Sequence, residues 1–171
     1  HMVEDVIRQH PDVAKLHPSS VNCTRIITLL DDEGEPHCLY VVQKIGLNGS
    51  IIDNNCMFSP VDPETGKIKY PAHAGDTPLG IVYTQHPNTG ITIQGYQLPY
   101  VKESIEMVKK AALVVPQIRY VGWDVAVTPN GPIIIEGNTY CAHDFWQLPP
   151  HTPDKIGMLP TLKKLVPDFK Y

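Results

Sequence analysis

The sequence predicts an α+β domain built on a mostly antiparallel sheet with flanking helices. Three observations predict it. Short runs of β-branched and aromatic residues recur along the chain, bounded by Gly, Pro, Asn or Asp. One segment, 101–115, carries a sustained helical period. Proline is abundant, 17 of 171 residues beside 12 glycines, which favours many turns and argues against a long-helix bundle. Apolar residues at 42% and charged residues at 19% place the chain among globular proteins. This length buries a core without disulfide staples.

Residues 3–16 read as a short helix broken at Pro11, with Val3, Val6, Ile7 and Val13 as a thin apolar stripe. Residues 23–30 are β-branched and read as a strand. Asp31 to Gly34 is a turn, and 37–45 is the return strand of a hairpin. Residues 46–56 form a polar loop. Two short strands, 57–62 and 67–72, flank a Pro63-Glu64-Thr65-Gly66 turn, and 73–80 and 86–90 are loops. After Pro99, the apolar residues Val101, Ile105, Val108, Ala112 and Val115 share one helix face, with Lys102, Glu103, Glu106, Lys109 and Lys110 on the other. Strands at 119–128 and 132–138 follow, then a weak helix near 160–166. No internal repeat is evident.

Fourteen Lys and Arg against 18 Asp and Glu give a net charge of −4. That balance leaves no footprint for nucleic acid and no polybasic membrane patch. No apolar run is long enough for a membrane span. The four cysteines form no Cys-x-x-Cys pair, so free thiols in a reducing, cytoplasmic compartment are expected. The eight histidines contain no His-x-x-x-His, and the nearest cluster, His143-Asp144 beside Cys141, reads as structural. There is no phosphate loop of the Gly-Lys-Ser/Thr type and no Gly-x-Gly-x-x-Gly.

The chemistry-bearing stretch is RYVGWDVAVTPNGPIIIEGN, Arg119 to Asn138. Val121, Trp123, Val125 and Val127 alternate onto one face, and Gly122, Asp124, Ala126 and Thr128 onto the other. The small residues beside Asp124 leave room above it. Pro129 and Gly131 suit a type I turn closed by a glycine bulge, a three-residue loop that pairs Thr128 with Pro132. That register sets Asp124 opposite Glu136 and Gly122 opposite Asn138. Two carboxylates then stand with Cβ atoms about 4.5–5.5 Å apart, an unfavourable pair without a counter-ion. An Asp, Glu and Asn oxygen set suits Mg²⁺. The run Ile133-Ile134-Ile135 suggests that the second strand is buried. Two solvated acids on an exposed face are an equal alternative, and a two-residue loop would put the acids on opposite faces.

These residues carry a resemblance. Six motifs in order are His17-Pro18-Ser19-Ser20-Val21-Asn22-Cys23-Thr24-Arg25, Gly49-Ser50-Ile51-Ile52-Asp53-Asn54, Asp62-Pro63-Glu64-Thr65-Gly66-Lys67, His86-Pro87-Asn88-Thr89-Gly90, Gly122-Trp123-Asp124 and Ile135-Glu136-Gly137-Asn138. Over nearly its whole length the chain resembles the sugar-transfer-associated, glutamate-ligase-like branch of the ATP-grasp superfamily. The resemblance implies that Asp124, Glu136 and Asn138 ligate Mg²⁺. It implies Arg25 as the catalytic contact to phosphate or an acyl phosphate, with Asn54 and Lys44 also binding ATP. Asn54 reads equally well as an ordinary turn former, and Arg25 also as a strand-edge salt bridge. Two positions depart from the family pattern. Asn55-Cys56-Met57-Phe58-Ser59-Pro60 stands where a Gly-Gly pair is expected, and Lys44 stands where Arg is expected. The lysines and adenine-binding linker of an N-terminal ATP-grasp subdomain are not found. His1-Met2 reads as a cloning remnant, so residues 3–171 are expected to be one domain from the C-terminal part of a longer enzyme, inactive alone. The implied activity is an ATP-dependent ligase joining a small-molecule carboxylate to an amine or similar acceptor, in the setting of polysaccharide or cell-envelope precursors. An ATP-grasp kinase acting on a sugar or polyol hydroxyl, or a non-catalytic interaction module, are the alternatives.

Overall fold

The computed structural model describes residues 5–49, 56–74, 80–141 and 147–167. In chain order they form α1 (Pro11–Ala14), β1 (Thr24–Leu30), β2 (Pro36–Gly46), β3 (Cys56–Pro60), β4 (Ala72–Ala74), β5 (Ile81–Tyr83), α2 (Val101–Ala112), β6 (Tyr120–Thr128), β7 (Gly131–Asn138), a single 3₁₀ turn (Pro149–His151) and α3 (Leu159–Leu165). The strands make one sheet in the order β5-β4-β3-β2-β1-β6-β7, and every neighbouring pair is antiparallel. The α+β class and the antiparallel sheet with flanking helices are therefore as the sequence predicts.

Helix α2 packs on one face. Val101 and Val108 join Ile26, Val41, Ile45, Met57 and Val125 in a single aliphatic cluster. Glu103 in the first turn and Lys109 and Lys110 in the last match the helix dipole. Val115 lies beyond the helix end and is exposed. The opposite face carries two smaller clusters, Ile27 with Cys141, and Val42 with Phe58 and Leu148.

The segment before β1 is tied down by Asn22, which is buried. Its Nδ2 donates to Val13 O at 3.2 Å, His17 O at 2.8 Å and Gln9 Oε1 at 3.1 Å, and its Oδ1 accepts from Gly46 N at 3.1 Å. Such a group is stabilising only when its bonds are made. A Cβ at Gly46 would meet Ser20 Oγ at 2.2 Å and His17 Nδ1 at 2.6 Å, so only glycine lets β2 pass this close.

Several expectations are corrected. The first helix starts at Pro11 instead of breaking there, because His10 caps it by accepting from Asp12 N and proline suits the first helical turn. Residues 67–71 pair only through isolated bridges, and β3 pairs instead with β4, which takes Ala72 from the expected strand and His73 and Ala74 from the expected loop. Strand β5 was also unpredicted. A short recurrence exists as well. Asp62–Gly66 and His86–Gly90 fold as the same turn, each closed by a glycine N–H on the first carbonyl at 2.8 Å. In one, Asp62 Oδ1 accepts from Glu64 N and Thr65 N. In the other, His86 Nδ1 accepts from Asn88 N and Thr89 N. The imidazole does the work of the carboxylate, and its Nε2 is left to donate to Gly46 O at 2.9 Å.

Candidate active site

The face opposite α2 carries a row of charge across four strands. Arg25 on β1 is the direct register partner of Asp124 on β6, and Asp124 is the direct partner of Glu136 on β7. Lys44 on β2 shares the face because Arg25 pairs with Val42, two residues away. Asn138 is two residues beyond Glu136 and lies opposite Gly122. The strand order β2-β1-β6-β7 thus brings Lys44, Arg25, Asp124, Glu136 and Asn138 onto one surface.

Arg25 grips Asp124 with both arms. Its Nε donates to Asp124 Oδ1, and its Nη2 donates to Asp124 Oδ2 at 2.6 Å. This is the bidentate arrangement that favours Arg over Lys. Lys44 Nζ adds a second cation 3.8 Å from Oδ2. The side chains of Arg25, Lys44 and Asp124 are only 12%, 13% and 8% exposed. Glu136 is exposed, and Asn138 Nδ2 donates to Glu136 Oε1 at 2.9 Å.

Two parts of the sequence reasoning need correction here. The hairpin loop is not three residues. Thr128 pairs with Gly131, leaving Pro129 and Asn130 as the loop, and Val125 pairs with Ile134. A register shift between Asp124 and Val125 then absorbs Ile135 as an extra residue, a β-bulge, and restores Asp124 opposite Glu136. Strand β7 is also not buried. It is the sheet edge, and Ile133 and Ile135 are 45% and 44% exposed. The room expected over the small-residue face is partly filled, since a Cβ at Gly122 would meet Cys141 Cβ at 2.6 Å. Burial raises the Cys141 thiol above its usual range, so it is held as a neutral thiol.

Asp124 draws counter-ions from the chain itself, Arg25 and Lys44, which reach it from the β1 side, away from Glu136. Arg25 does make a salt bridge, but from an interior strand and not from an edge. Asn54 lies outside the described residues, as do His143 and Asp144. The motif His17 to Arg25 divides in function. Its Ser20 and Asn22 build the entry to β1, and Arg25 alone reaches the charged row.

A family model described as sugar-transfer associated ATP-grasp matches residues 1–164. The chain belongs to that family. Membership makes this an ATP-grasp enzyme domain of the ATP-binding class. No curated protein matches this ATP-grasp chain, and no solved structure does. Among the described residues no helix is long and apolar enough to cross a membrane.

Sequence reasoning passed over one neighbouring feature of this ATP-grasp sheet. In the register row beside Arg25, His73 on β4 pairs with Phe58 on β3, which pairs with Lys44. His151 packs against both rings, with centroids 6.2 Å from His73 and 6.0 Å from Phe58. The signal would have been His73, but the three-residue strand that holds it has no readable period.

The donor set fits a hard divalent cation in kind. Asp124, Glu136 and Asn138 offer carboxylate and amide oxygens from two adjacent strands, and Asn138 uses its Nδ2 on Glu136, which leaves its oxygen as the acceptor. Two carboxylates and one amide do not fill six positions, as suits Mg²⁺, which keeps waters and shares substrate phosphates.

Proposed function

We propose that this chain is the C-terminal, Mg-ATP-binding part of an ATP-dependent ligase-like enzyme. It would join a small-molecule carboxylate to an amine or hydroxyl acceptor through an acyl phosphate, completed by an N-terminal ATP-grasp subdomain. The family's description as sugar-transfer associated supports a role in polysaccharide or cell-envelope precursor synthesis, and we propose a cytoplasmic setting for it. One observation carries the reading: Arg25, Asp124 and Glu136 are successive register partners, and Lys44 and Asn138 share their sheet face.

In this mechanism Asp124, Glu136 and Asn138 would hold Mg²⁺, which would supply positive charge to offset that of the phosphoryl group. Arg25 presents a planar fork of donors to a phosphate or acyl-phosphate oxygen. Lys44 contributes a point charge from the adjacent strand. Asn54 is assigned to the phosphate or acceptor side. Before phosphate arrives, Asp124 holds Arg25 in place, its two oxygens fixing the guanidinium plane.

Calorimetric titration of Mg-ATP into the full-length protein beside Glu136→Gln tests this. Glu136 is exposed, so the variant is expected to fold, and Mg-ATP affinity is expected to fall at least about tenfold. Unchanged affinity overturns the metal assignment.

A second reading is a non-catalytic interaction module. It is favoured by one fact, that Arg25 and Lys44 already serve as counter-ions to Asp124. A folded protein with no Mg-dependent nucleotide affinity would establish it.

A further inference from the structure

We propose that Arg25 gates the Asp124 carboxylate. The guanidinium must leave at least one Asp124 oxygen before that residue can join Glu136 and Asn138 around a divalent cation, so metal and nucleotide bind synergistically and not independently. The inference rests on the metal reading given above and goes beyond it by assigning Arg25 a role before any phosphate arrives.

Three observations carry it. Both Asp124 oxygens accept from Arg25, one from Nε and the other from Nη2. The pair is held by direct strand register and is nearly excluded from solvent, so little water is available to replace the guanidinium. Among the described residues, two cations, Arg25 and Lys44, already stand beside the Asp124 carboxylate. A divalent ion added to that arrangement would meet Arg25 and Lys44 at close range, and like charges a few ångströms apart in a half-buried site repel strongly. An anionic phosphate chain offers the guanidinium an equivalent bidentate partner. Its arrival frees Asp124, and Lys44 stays near Oδ2 as the remaining cation.

The test is Mn²⁺ affinity of the full-length protein, measured by electron paramagnetic resonance of free Mn²⁺, without nucleotide and then with ATP. Arg25→Gln is expected to tighten Mn²⁺ binding without nucleotide by about tenfold. The factor by which ATP improves Mn²⁺ affinity is expected to shrink correspondingly. Arg25→Lys keeps one positive charge but loses the fork. It is expected to tighten metal binding by a smaller factor, about threefold, and it carries the test if Arg25→Gln does not fold. Glu136→Gln is the control, expected to lose Mn²⁺ binding. Equal Mn²⁺ affinity in wild type and both Arg25 variants, with loss in Glu136→Gln, overturns the gate and leaves the metal site standing. No Mn²⁺ binding in any folded variant overturns the metal reading and the gate together.

Discussion

On the α2 face, Ile26, Val41, Ile45, Met57 and Val125 merge into one aliphatic cluster. On the opposite face, the same four strands present Arg25, Lys44, Phe58 and Asp124, with two small apolar clusters beside them. The difference teaches where stability and chemistry reside. Burial on the first face is non-directional and scales with apolar area. Order on the second depends on which charge faces which, because an unpaired buried charge is costly. A substitution on the first face should therefore lower stability and leave ligand affinity per folded molecule intact. On the second face the two should change together.

The largest effect should come from Ile26→Ala. Ile26 is fully buried at the centre of the aliphatic cluster. Truncation removes transfer free energy and leaves a cavity, for an expected loss of about 4 kcal/mol. Urea denaturation measures it, and a loss below about 1 kcal/mol would mean that this face is not the main core.

Asp124→Ala should cost slightly less, about 3 kcal/mol, by removing the carboxylate that Arg25 and Lys44 face in a nearly dry site. Removing Arg25 and Asp124 together, as Arg25→Met with Asp124→Leu, should cost less than Asp124→Ala alone, since apolar pairs can replace buried ion pairs. Both variants should lose Mg-ATP binding. A double variant less stable than Asp124→Ala would show that the pair contributes net stability.

A smaller effect should appear with pH. His17 is buried, and its pKa is lowered first by that burial and then by the neighbouring His86. The unfolded chain therefore takes up the proton at a higher pH than the folded one. Stability should be full above about pH 6.5 and fall as pH drops through and below that value. Carboxylates with lowered values, such as the half-buried Asp31 held by His37, act only at lower pH. His17→Asn should flatten the slope between about pH 7 and 5, read from urea midpoints. An unchanged slope would assign it to other histidines.

Much of this was legible in the sequence. Helix α2 and the strands β1, β2, β6 and β7 were readable because each runs seven residues or more between turn signals, α2 and β6 with a clear period. Strands β4 and β5 were not, because three residues carry no period and turn signals surround them. At the site, Asp124, Glu136 and Asn138 could be placed together because a hairpin is local. The bond from Arg25 to Asp124 could not be foreseen, since it depends on β1 lying between β2 and β6. Asp124 faces Glu136 as expected, but by two departures from the expected hairpin that cancel. The loop was one residue shorter than expected, and the bulge at Ile135 restored the residue.

That cancellation supplies the smallest expected effect. Gly131 holds φ at +119°, a conformation that disfavours side chains, and a Cβ there would meet nothing within 4 Å. The whole cost of Gly131→Ala is therefore backbone strain, about 1 kcal/mol. If the bulge between Asp124 and Val125 fixes which face Glu136 occupies, the weakened turn should leave the acid pair in place. Stability should fall slightly while Mg-ATP affinity stays that of the wild type, measured on the same preparation by urea denaturation and calorimetry. A fall in affinity beyond the fraction unfolded would show that the turn controls the register, and that the charged face depends on two loop residues several positions from its nearest acid.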